Sequence, residues 1–387
     1  MFMYIIEQGT GNREQGTGNR EPFTTRNLYI DLLRIAATFG VIILHTSASN
    51  WYSTPVKSFN WQMMNLYDSL VRWTVPVFVM ISGMLHLQSY NIKDNFCEEK
   101  YKICQKILRI ICAIIFWTII YNMFFPLVKY LFKDRNLIIL LGVIKSLPGK
   151  IIFGPGWYHL WYLYMIMGLY LITPIIIRFI NNAQEEHIKY ALILFFVFGT
   201  CIQLYNTVNI IFDNIIAWLP TSDLYFPFPE ITGYTGYYIA GYYFSKYDTE
   251  RRNKILLYIF AILSMLFTIL GCSLWSIYKN EPRGDFCGNN LPNTMFIAFA
   301  LFVLLKNISS AKFFEKYKRI IIFVSEHTFG IYLVHDLLLQ IIGRIGLNSL
   351  TFNPMLSIPV IAIIDFSIGL FITIIIKKIP FLKKYVV

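Results

Sequence analysis

Apolar positions in this chain come in long runs separated by short polar loops, and the run length is set by a membrane. A helix crossing the hydrocarbon core of a bilayer needs roughly 20 mostly apolar residues. Ten segments meet or approach that length: 28–48, 69–89, 107–128, 159–180, 189–209, 231–245, 255–277, 291–306, 320–343 and 355–376. The sixth and eighth are short, so tilt, local thinning or helical loop residues must complete them. Residues 137–153 are apolar but interrupted by Lys145, Pro148 and Gly149, which reads as an interfacial or re-entrant piece. The pattern predicts an all-α protein, a polytopic membrane helical bundle with about ten transmembrane helices.

Composition agrees. The chain is 56% hydrophobic and 14% charged, where soluble domains carry about a quarter charged residues. Its 34 basic against 22 acidic residues do not indicate nucleic-acid binding. The cations cluster in loops between spans, where they set orientation. With the N-terminus in the cytoplasm, 23 of the loop cations fall inside and eight outside, so both termini are expected to be cytoplasmic and the protein a multi-pass component of the inner (cytoplasmic) membrane. The loop at about 210–230 has no Lys or Arg, is rich in aromatics and proline, and falls outside; such faces suit sugar rings and also the membrane interface. No cleavable signal peptide is evident.

Six cysteines show no CxxC or Cys/His spacing, so neither a disulfide scaffold nor a metal site is expected. Cys272 and Cys287 fall near the same membrane face, where one bridge is an option. Phosphate-loop, zinc-protease and serine-hydrolase motifs do not occur. Glu7–Arg13 is repeated without change as Glu14–Arg20, a polar, glycine-rich heptad that can bury nothing. Residues 1–25 are therefore expected to be disordered, and the repeat reads as translated DNA ahead of a later natural start. Residues 26–380 would form the membrane domain and 381–387 a cytoplasmic tail.

The polar residues inside the spans are the candidates for chemistry, because ionisable groups there cost several kcal/mol unless they face protein or a wet cavity. Arg34 and His45 are eleven residues apart in the first span. That spacing returns to within roughly 20° on a helix and separates them by roughly 16 Å, half the core thickness. Thr38 shares the stripe and Asp31 lies one turn before Arg34. The plain alternative is an Asp31–Arg34 pair anchoring the helix at the headgroups.

Further candidates line up around that stripe. Arg72 opens the second span on the side of His45, suited to an oxyanion or to interfacial anchoring. Lys106 and Arg109 stand one turn apart at the cytoplasmic edge of the third, as anchors or as a mouth for an anionic ligand. His159, Trp161 and Tyr162 open the fourth on the outer side, among aromatics that an interfacial belt would also supply. In the ninth, Tyr332 and His335 are one turn apart and deep enough to reach His45 from the opposite wall.

Histidine is the side chain best matched to removing a hydroxyl proton near neutral pH. Acyl transfer from a thioester to an alcohol needs that base and donors for the developing oxyanion, here Arg34, Arg72, Tyr332 or Tyr162. Two other readings share these residues. A transporter or flippase for a lipid-linked sugar or anion would use the stripe without consuming a thioester, and a silent scaffold would tolerate loss of His45.

Taken in order, these segments resemble the integral-membrane acyltransferase family 3. The resemblance rests on Arg34-x10-His45, Arg72…Val75-Pro76…Met80-Ile-Ser82-Gly83, Lys106-x-x-Arg109, His159-Leu-Trp-Tyr-Leu-Tyr…Tyr170-Leu-Ile-Thr-Pro174, Gly233-Tyr…Gly241-Tyr-Tyr and Thr328-Phe-Gly-Ile-Tyr-Leu-Val-His335. It covers about residues 26–380. It implies a ten-helix bundle that moves an acyl group, often acetyl from acetyl-CoA, onto extracytoplasmic glycans. His45 then corresponds to the essential histidine and Arg34 to its arginine. The family's third-helix pair is usually Arg-x-x-Arg, and Lys106 here keeps the charge but loses bidentate geometry. With no further domain after the last span, the resemblance favours a stand-alone enzyme acting on a lipid-linked or surface sugar. It would hold no permanent cofactor, use acyl-CoA as co-substrate, and have the bilayer and a glycan acceptor as partners.

Overall fold

The computed structural model describes residues 27–88, 96–134, 137–211, 228–309 and 311–387. The repeat-bearing segment 1–25 and most of the aromatic loop near 210–230 lie outside the described residues. Among the described residues every regular element is helical. The chain runs through α1 (Leu28–Ala48), α2 (Phe59–Leu70), α3 (Thr74–Gln88), α4 (Phe96–Lys129), α5 (Leu137–Ile152) and α6 (Trp161–Asn182). It continues through α7 (Glu185–Phe196), α8 (Ile202–Ile211), α9 (Phe228–Lys246), α10 (Arg251–Lys279) and α11 (Pro292–Ile308). Last come the short α12 (Lys312–Lys316), α13 (Lys318–Arg344), α14 (Pro354–Ile376) and α15 (Pro380–Tyr385).

The ten expected spans all coincide with helices. Eight are long and apolar enough to cross a membrane by themselves, the second as α2 continued into α3 and the fifth as α7 continued into α8. The two short ones are α9 and α11. The protein is a multi-pass membrane bundle. α5 has no buried residue and packs along α4, which fits an interfacial element.

Which helices form the interior follows from their sequences. α1, α3 and α13 carry polar groups on one face and are buried along most of their length, whereas α10 and the α7–α8 pair are apolar and mostly exposed to the surroundings. A helix with polar groups inside a membrane must turn them inward, and an all-apolar one is free to face lipid. α1 packs on α3, α13 and α14, and α3 packs on α9.

Two features set the geometry of the interior. The first is the contact of α3 with α9. A Cβ placed on Gly83 would lie 1.8 Å from the Tyr238 carbonyl oxygen, and one on Gly241 would lie 1.9 Å from that of Met80. The two backbones touch, as small residues allow where lipid offers no hydrophobic drive to association. The second is the break between α2 and α3. Pro76 has no N–H and its ring clashes with the carbonyl four residues earlier, so the helix cannot run through residue 72. It restarts at Thr74, which puts Pro76 in a first turn where the missing donor is harmless. Arg72 therefore sits on the break and ion-pairs with Asp68 of α2.

Residues 381–387, expected as a tail, fold against the bundle. Val386 and Val387 are buried with the main core. A Cβ on Gly330 would meet the Val387 side chain at 2.6 Å.

Candidate active site

His45 lies in the last turn of α1, half-buried, at the end of a stripe whose other members Arg34 and Thr38 are buried. The Thr38 hydroxyl donates to the Arg34 carbonyl at 2.8 Å, a bond within the helix that leaves the side chain no polar demand on the surroundings. Facing His45 is α13, where the spacing of three brings Tyr332 and His335 to one face. The imidazoles of His45 and His335 are 5.2 Å apart between centroids. A third histidine arrives from the 3-10 turn Tyr158–Leu160 that precedes α6. The His159 ring is 5.0 Å from that of His335 and 5.7 Å from that of Tyr332. Three histidines from three elements thus surround one point in the bundle.

Their hydrogen bonds fix what each ring can do. His335 Nδ1 is 2.5 Å from the Tyr332 carbonyl oxygen, which only accepts, so Nδ1 carries the proton and Nε2 the lone pair. That Nε2 is buried and has no partner. Neither ring nitrogen of His159 has one, although the residue is only 2% exposed. Buried polar atoms are nearly always paired in a finished structure. Three imidazole nitrogens without a protein partner thus converge at one point, where they are free to meet a polar group.

The Tyr332 hydroxyl donates to the His159 carbonyl at 2.6 Å, so its proton is committed to holding the His159 turn. Tyr162 packs its ring on Tyr332 and on Phe78, at 5.9 and 6.0 Å. Tyr121 of α4 closes the far side, stacked on Trp157 at 5.2 Å and edge-on to His159 at 5.0 Å.

The acyltransferase family 3 domain matches residues 27–377, nearly the whole chain. The chain belongs to that family. It is a membrane acyltransferase. No curated protein and no solved structure matches it.

The other expected residues of the acyltransferase separate by depth. At the level of the histidines, Arg72 is within electrostatic reach of His45 while paired to Asp68. Toward the other end of α1, Asp31 accepts from the Ser325 hydroxyl at 2.6 Å and lies 3.5 Å from Arg34 Nη1. The Asp31–Arg34 pair is thus real, but Asp31 and Arg34 are 1% and 4% exposed, so it is an interior pair and no headgroup anchor. Lys106 and Arg109 are buried on α4, and Arg109 Nη2 donates to a main-chain carboxylate oxygen of Val387 at 2.5 Å. Trp161 packs its ring against that of Tyr234 at 5.9 Å.

Asp336, Tyr158, Trp157 and Gln340, which no motif singles out, complete the site. Asp336 accepts from the Tyr158 hydroxyl, from Trp157 Nε1 at 2.6 Å and from Gln340 Nε2 at 2.8 Å. Tyr158 Oη also lies 3.4 Å from His45 Nδ1. A carboxylate inside an apolar helix, directly after His335, was the available signal for Asp336. Tyr158 had none, because one aromatic in a run of aromatics looks like the rest.

Proposed function

We propose that this acyltransferase moves an acyl group, acetyl being the expected one, from cytosolic acyl-CoA to a hydroxyl of an extracytoplasmic or lipid-linked glycan. The supporting observation is the histidine cluster. His45 converges with His159 and His335, whose rings leave three nitrogens unclaimed by the protein, in a family that transfers acyl groups. Positive charge on Lys106 and Arg109 suits the phosphates of acyl-CoA at the cytoplasmic end, and the roughly 16 Å from Arg34 to His45 suits an extended carrier arm. The inner (cytoplasmic) membrane is the setting this requires.

In this reading His45 Nε2 accepts the proton of the acceptor hydroxyl as its oxygen attacks the thioester carbonyl. His45 is preferred to His335 as the base because it is half-buried and can be reached, whereas His335 is fully enclosed. The carbonyl oxygen becomes an oxyanion, for which a His159 N–H and the Arg72 guanidinium are the donors at this depth. When the intermediate collapses, the C–S bond breaks and the His45 imidazolium returns its proton to the departing thiolate. The products are the ester and free CoA thiol. The thioester supplies the activation, so no protein nucleophile is needed.

Membranes containing the protein, given acyl-labelled acetyl-CoA and surface glycan, should yield an alkali-labile glycan ester and an equal amount of CoA thiol. Movement of the glycan with no thiol release would support a transporter and overturn the proposal.

A further inference from the structure

We infer that Tyr158 and Asp336 form a relay that positions His45, holding its proton on Nδ1 and leaving Nε2 as the base. The inference deepens the reading of His45 as general base and rests on it. The Tyr158 hydroxyl has one proton, and it points at Asp336 Oδ1. Its oxygen is then an acceptor, and the group 3.4 Å away is His45 Nδ1. An imidazole that donates from Nδ1 must carry its lone pair on Nε2. The sequence of bonds is therefore His45 Nδ1–H to Tyr158 Oη, and Tyr158 Oη–H to the Asp336 carboxylate.

Asp336 is itself held. Its other oxygen takes Trp157 Nε1 at 2.6 Å and Gln340 Nε2 at 2.8 Å, so the carboxylate cannot rotate away. Gln340 is one turn further along α13 and Trp157 stacks on Tyr121, so three elements fix one acceptor. Other titratable groups near His45 are His335, His159 and Arg72, each cationic or neutral. Asp336, through Tyr158, is the anion that steadies the imidazolium formed when His45 takes the acceptor proton. No covalent bond changes in the relay, and the proton gained on Nε2 is the one lost to the thiolate.

A structural role for Tyr158 and a relay role predict different kinetics. Tyr158→Phe keeps the ring that lies 5.2 Å from His45 and removes only the hydroxyl. It is expected to lower kcat by about 10- to 100-fold, the usual loss for an orienting partner, with KM for acetyl-CoA unchanged. In a His45→Ala background the same change should cost less than about twofold, because the residue it acts through is gone. Equal losses in both backgrounds, or full activity in Tyr158→Phe, would overturn the relay. Wild-type protein without any transfer activity would instead overturn the functional reading beneath it.

A separate observation carries a second inference. The Sγ atoms of Cys272 and Cys287 are 3.1 Å apart and both residues are buried. The pairing is built by the chain. Asn280 ends α10 with a left-handed φ of 54°, and the following loop returns down the helix. Ser276 Oγ accepts from the Arg283 N–H at 2.9 Å, and Phe286 packs edge-on against Phe267. The geometry points to a disulfide formed on the extracytoplasmic side, where oxidising conditions prevail. Two thiols give up two protons and two electrons, and the disulfide of an extracytoplasmic thiol oxidoreductase accepts them as a dithiol.

Protein from acid-quenched cells, denatured and treated with a polymer-linked maleimide, should take four labels on its six cysteines before reduction and six after it. Peptide mapping should join Cys272 to Cys287, and Cys272→Ser should take five labels with or without reductant. Six labels on unreduced wild-type protein would overturn the disulfide.

Discussion

Replacing His45 with alanine is expected to lower acyl transfer by about 10²- to 10⁴-fold, the usual contribution of a general base. Expression and membrane insertion should be unchanged, because alanine is cheaper than histidine in a span and His45 is only half-buried. The loss should fall on kcat, since the expected acyl-CoA contacts at Lys106 and Arg109 lie at the other end of the bundle. His335→Ala is the informative companion. His335 has an unclaimed Nε2 and its ring is 5.2 Å from that of His45, so it is the other group placed to take a proton. If His45→Ala keeps activity and His335→Ala loses it, the two roles exchange. If neither change matters, the histidine cluster is not the catalytic centre.

A comparably large effect on the fold is expected at Gly83. An added Cβ would come 1.8 Å from the Tyr238 carbonyl oxygen, a backbone atom that no rotamer change can move. Overpacking commonly costs about 1–3 kcal/mol, and a clash between two helix backbones belongs at or beyond the upper end. Gly83→Val should leave little monodisperse protein after detergent extraction, and Gly241→Val should do the same through the Met80 carbonyl. Gly142→Val is the control. It lies on exposed α5, where an added Cβ meets nothing within 4 Å. Size-exclusion profiles of the three variants, followed by their thermal unfolding, would check this. Wild-type behaviour of Gly83→Val would mean that α3 and α9 do not approach so closely.

Much of the bundle was legible because the bilayer imposes a length and a polarity on every span. The ten runs of apolar residues are helices, and the polar stripe of Arg34, Thr38 and His45 does turn inward. Spacing and depth put Tyr332 and His335 on one face of the ninth span, and the His335 ring lies 5.2 Å from that of His45. Local sequence could not show the partners of that stripe. Tyr158 meets His45 and Asp336 across 113 and 178 residues of chain, and such pairings are decided by tertiary packing. Arg109 was legible as a cation at the cytoplasmic edge of the third span, but its bond to the main-chain oxygen of Val387 depends on residues 380–387 folding back. The second membrane helix begins later than its apolar run, because Pro76 puts the start of α3 at Thr74. The meeting of Cys272 with Cys287 follows from the reversal after Asn280, which periodicity does not encode.

In the proposed reaction a thioester on one side of the membrane acylates a hydroxyl on the other through His45. Purified protein reconstituted in sealed vesicles, with acetyl-CoA confined to the cytoplasmic face and glycan acceptor to the opposite face, tests it most directly. Wild-type protein should form glycan ester with an equal release of CoA thiol, and His45→Ala should form about 10²-fold less or lower still. Ester formed at the wild-type rate by His45→Ala, or thiol release with no ester on the acceptor, would contradict acyl transfer through His45.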